Sequence, residues 1–84
     1  MQPKTNVMLF VEMPSASPSQ RVKFRDEMQG RDWLPVPKRG DTFCTSFAGR
    51  AEDSEIVRAS EADAELAADA SGVSDWTGTC VLSG

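Results

Sequence analysis

The sequence predicts an α+β domain in which two helices pack on one face of an antiparallel sheet. Three observations lead there: the apolar run Val7-Met8-Leu9-Phe10-Val11, two later segments in which apolar and polar residues alternate, and helix start and stop signals between these strands. With 84 residues the chain has room for one hydrophobic core, so residues 1–84 are expected to form a single domain. Apolar residues make up 39% and charged residues 26%, near globular averages, which argues against wholesale disorder.

The first strand is expected over residues 5–12 and ends at Met13-Pro14, where proline withdraws an amide donor and fixes φ. Being apolar on both sides of its pleat, it belongs in the middle of the sheet, with both faces buried or with an interface on the second. A helix follows. Ser17 can cap it, Pro18 suits its first position, and Gln20 completes a Ser-x-x-Gln capping box. It should run to about Gln29, with Gly30 as a left-handed C-cap and Phe24 and Met28 forming an apolar pair one turn apart. Residues 20–25 also alternate as a strand would, but caps at both ends favour the helix.

Trp33-Leu34-Pro35-Val36-Pro37 carries two prolines, so it can pair only as an edge strand or lie extended over the core. Lys38-Arg39-Gly40-Asp41 reads as a turn. Residues 42–47 form a clear strand, with Phe43, Thr45 and Phe47 on one side and Cys44 and Ser46 on the other. After a loop over residues 48–53, residues 55–59 (Glu55, Ile56, Val57, Arg58 and Ala59) fit either a short strand or early helical turns. Ser60 with Asp63 resembles a capping box, so the second helix is expected from Ser60 to about Ser71, ending at Gly72. Ala59, Ala62, Leu66, Ala70 and Val73 would line its core face. Residues 76–83 alternate again, Trp76, Gly78, Cys80 and Leu82 opposing Thr77, Thr79 and Val81. The order is close to a ferredoxin-like βαββαβ sandwich, with room for one extra short strand.

The net charge of −4 is unevenly spread. Residues 1–50 hold eight Lys and Arg against five acids, a balance of +3, whereas residues 51–84 hold Arg58 against eight acids, a balance of −7. Like charges one turn apart on a helix repel by a few tenths of a kcal/mol per pair. Solubility is the plain reading of such a face. Glu61, Glu65 and Asp69 nevertheless recur every fourth residue, with Asp63 beside them, and the helix offers no basic counterpart. Carboxylates one turn apart lie roughly 6 Å from each other, near the spacing of phosphates along a nucleic-acid strand. This stripe is therefore the candidate docking site for a protein or ribonucleoprotein complex with a basic surface.

The basic first half offers an alternative. Arg21, Lys23, Arg25, Arg31, Lys38 and Arg39, near Phe24 and Trp33, would contact phosphates while an aromatic ring stacks on a base, if they form one patch. That is the reading of a small RNA-binding protein or endoribonuclease. A third reading is a structural homodimer built on the first or last strand.

Catalytic machinery is expected to be lacking. The chain has no histidine, hence no Ser-His or Cys-His pair, and no Gly-rich phosphate loop. Asp26-Glu27 and Glu52-Asp53 are adjacent carboxylates, which diverge on a helix rather than converge on a substrate. Two cysteines, Cys44 and Cys80, without histidine make a four-ligand zinc site improbable, so neither metal nor cofactor is expected. No apolar run is long enough for a membrane span or a signal peptide, which points to the cytoplasm. In size and acidity the chain is similar in general character to the small phage-encoded proteins that inhibit host defence complexes, such as anti-CRISPR proteins. That resemblance implies an inhibitor acting through an acidic, nucleic-acid-like surface in the host cytoplasm.

Overall fold

The structure, a computed structural model, describes residues 4–49 and 52–83. In chain order the elements are β1 (Lys4–Glu12), α1 (Pro18–Gln29), β2 (Leu34–Pro35), β3 (Thr42–Ala48), α2 (Asp53–Ser71) and β4 (Thr77–Ser83). The strands form one sheet in the order β2-β3-β1-β4, with every neighbouring pair antiparallel. β1 lies inside, between β3 and β4, as its apolar run requires. This is the α+β arrangement the sequence predicts, a βαββαβ order without a fifth strand among the described residues. The loop expected over residues 48–53 falls partly outside them.

Alternation along β1 divides the sheet. Val7, Leu9 and Val11 point to the helices and are buried, together with Phe43 of β3, Phe24 and Met28 of α1, and Ile56, Ala64, Ala67 and Ala68 of α2. Trp76, Cys80 and Leu82 close the core from the β4 side. Phe24 and Phe43 meet with ring centroids 5.7 Å apart at a tilted angle, an arrangement aromatic pairs favour. The other face of the sheet has no layer over it: Phe10, Leu34 and Val81 stay exposed.

α1 begins as its residues dictate. The Ser17 hydroxyl accepts from the Gln20 amide, and the Gln20 side chain accepts from the Ser17 amide. Its end corrects one expectation: Gly30 is right-handed, at φ −65°. The left-handed residue is Asp32, at φ 69°, where the Trp33 amide donates to Met28 O and the Asp32 amide to Gln29 O. This is a Schellman closure two residues later, made by an Asp whose short side chain tolerates the conformation. The Arg21 guanidinium pairs with Asp41 and donates to Met13 O, tying α1 to the end of β1 and to the turn before β3.

α2 departs most from expectation. It starts at Asp53, so residues 55–59 are helical and Ser60 is no cap: its hydroxyl, buried, donates back to Ile56 O. The N-cap is Glu52, which makes no side-chain cap bond. The core face is Ile56, Ser60, Ala64, Ala67 and Ala68, while Ala59, Ala62, Leu66 and Ala70 are exposed; of the face expected from the sequence only Val73, beyond the helix end, is buried. Beginning the helix seven residues earlier brings in Ile56, the largest apolar side chain on it to be buried, and burying Ile56 sets the rotation of the whole helix. Gly72 ends it in the left-handed conformation expected, φ 76°.

Candidate functional site

The acidic stripe is largely assembled. Glu61, Glu65 and Asp69 are all exposed and stand one turn apart along one flank of α2. Arg58, exposed one turn before Glu61, makes no ion pair among the described residues, where the two ion pairs are Arg21 with Asp41 and Arg31 with Glu27. The flank faces β4. Burial pushes the Cys80 thiol of that strand above its ordinary value of 9.0, and the negative charge of Glu61 pushes in the same direction, against a smaller opposing effect of the Ser60 hydroxyl.

Asp63 does not stand with the stripe. Two residues on from Glu61 it lies about 160° farther round the helix, half-buried, and accepts a 2.9 Å hydrogen bond from the Trp33 indole Nε1. Its carboxylate completes a buried ring rather than facing a partner. Because α2 starts at Asp53, Glu61 and Asp63 sit mid-helix, and the acids favoured by the helix dipole are Asp53 and Glu55 in the first turn. Asp69 remains near the C-terminal end, where the last turn holds no cation.

The basic residues are distributed differently. Arg21 is engaged with Asp41 and Met13 O; Arg31 donates to the Glu27 carboxylate at 3.0 Å and to Glu27 O at 2.9 Å. Trp33 is 1% exposed, and Phe24 is fully buried, so neither offers a ring face for stacking on a base. Lys23, Arg25, Lys38 and Arg39 are exposed, and Arg25 and Lys38 border one groove with Pro35, Val36 and Pro37.

No family model, curated protein or solved structure matches this chain.

A further surface lies on the open side of the sheet, on the second face of β1, for which the sequence predicts burial or an interface. Strand register places Leu34 beside Cys44, Cys44 beside Met8 and Met8 beside Val81, an apolar row crossing all four strands. On one side of the row a shallow groove of about 480 Å³ runs past Asn6, Ser46 and Ser83; on the other, Phe10 projects between Thr42 and Thr79. The available signal was the pair Met8 and Phe10, apolar at alternate positions that the inward face of β1 could not use. Cys44 and Cys80 pair with consecutive residues of β1, Met8 and Leu9, so they lie on opposite faces of the sheet with a strand between them. At roughly 10 Å across two strand spacings they are too far apart for a disulfide. Among the described residues no group of three His, Cys, Asp or Glu is placed to hold a metal ion, and no helix is long and apolar enough to cross a membrane.

Proposed function

We propose that this chain acts without catalysis, as a binding module in the cytoplasm that docks the acidic flank of α2 on a basic surface of a protein or ribonucleoprotein complex. The observation that carries the reading is the stripe of Glu61, Glu65 and Asp69: three exposed carboxylates one turn apart, with no cation paired to them among the described residues. Keeping like charges together costs the free protein self-repulsion, which a lysine- and arginine-lined partner would relieve. Occupying such a channel in place of nucleic acid is how an inhibitor of the anti-CRISPR type would work. Asp63 is left out of the docking set because its carboxylate serves Trp33.

The test is capture from bacterial lysate on the immobilised protein, at low and high salt, beside a variant carrying Glu61→Lys and Glu65→Lys. The expected result is a nucleic-acid-handling complex retained at low salt, bound at least about tenfold more weakly by the variant, with the difference shrinking as salt screens the charges. Equal retention by both proteins at low salt would overturn the reading.

A further inference from the structure

The four strands carry two charged residues between them, Lys4 and Glu12. Both sit at even positions of β1 and so share the open face with Met8, at opposite ends and four residues from it. Met8 lies in the apolar row with Leu34, Cys44 and Val81. The open face is thus apolar along its middle, hydroxyl-rich beside it with Asp32 also lining the groove, and oppositely charged at its two ends.

We propose that this face packs on the same face of a second copy, about a two-fold axis that runs along the row Leu34, Cys44, Met8 and Val81. Such an axis crosses the strands and sets β1 antiparallel to its counterpart. Each residue of the row then meets itself, which suits apolar side chains and would exclude charges. A residue n positions before Met8 meets the residue n positions after it. Lys4 of each copy is brought to Glu12 of the other, and Phe10 of each copy to the groove beside Asn6, Ser46 and Ser83 of the other. The second two-fold that stacks the faces runs along the strands, and it sets Lys4 on Lys4 and Glu12 on Glu12. Like charges select against it. Stacked sheets lie roughly 10 Å apart, a gap that facing side chains fill and that lysine and glutamate can span at the rim.

Size sets the strength. Three strands of seven to nine residues and the two-residue β2 present a footprint of roughly 400 Å² per copy, or about 800 Å² in all, below the range of stable specific interfaces. The dimer is therefore weak and reversible, forming between the micromolar and millimolar ranges.

Sedimentation velocity across that range tests it, with circular dichroism to confirm that each variant is folded. The wild type should pass from monomer to dimer, and Val81→Asp, which sets two carboxylates face to face on the axis, should remain monomeric. Lys4→Glu and Glu12→Lys should each weaken association roughly tenfold, since each turns two rim attractions into repulsions. The double variant, with its charges exchanged, should regain wild-type affinity. In a Cys80→Ala background a short bismaleimide should join Cys44 of one copy to Cys44 of the other. A monomer at every concentration overturns the proposal. So does association that survives Val81→Asp, the mark of pairing through an exposed strand edge, or a double variant that fails to recover.

Discussion

Cys80 is the side chain whose chemistry its surroundings alter most clearly. Burial and the Glu61 carboxylate raise its pKa above 9.0, so the folded protein holds the thiol proton more tightly than the unfolded chain does. The stabilisation this implies is intact below pH 9.0 and is lost as pH rises through the folded-state value. The urea midpoint should accordingly fall as pH climbs above 9.0, and Cys80→Ala should flatten that fall. Glu61→Gln should speed alkylation of Cys80 at a fixed alkaline pH by exposing more thiolate. Trp33 shows where side-chain reading from the sequence reached its limit. An indole among Arg31, Lys38 and Arg39 reads as a stacking platform, yet the ring is buried and its N–H is met by Asp63, thirty residues away along the chain. Nothing local to either residue announces that bond.

The helices divide along the same line. The start of α1 was legible because a capping box is a contact within four residues, and those residues have few alternatives. Its extent to Gln29 was legible too, but not the hand of Gly30, because a left-handed glycine at a C-cap is a preference that tertiary contacts override: Trp33 had to reach the core, and the left-handed residue fell at Asp32. In α2 alanine occurs on every side, so composition does not mark a face, and the rotation follows Ile56 with Ser60, Ala64 and Ala67. Two glycines turn this into an opposed pair of outcomes. Gly30→Ala, at φ −65° with ordinary contacts at 3.5 Å, should leave stability unchanged or raise it by about 0.5 kcal/mol. Gly72→Ala, at φ 76°, should cost about 1 kcal/mol or more, a fall of roughly 4–8 °C in Tm by calorimetry.

Across the whole chain, the places of two strands were readable, since a strand apolar on both faces had to be central and a doubly proline-punctured one had to be peripheral. A second apolar face of β1 was visible as well, but not the row that crosses it, because that depends on register among strands far apart in sequence. The charge distribution was visible from the outset, and it carries its own expectation. With −7 gathered after residue 50 and only two ion pairs among the described residues, repulsion outweighs pairing in that half. Raising salt to about 0.5 M should therefore lift the urea midpoint of the monomer; a falling midpoint would mean that the ion pairs dominate.

The same strand order sets a timetable for folding. β1 is made first, yet its partners follow late: Phe10 pairs with Thr42, thirty-two residues on, and Asn6 with Ser83, seventy-seven residues on. Closing such long loops must precede the contacts that reward it, which places folding with the slower, milliseconds-to-seconds domains rather than with helical bundles. On the ribosome Val7, Leu9 and Val11 wait unpaired until Thr42–Ala48 and then Thr77–Ser83 emerge. A nascent chain halted before Thr77 leaves β1 with an open edge, and such a chain depends on chaperones to keep from pairing with its neighbours.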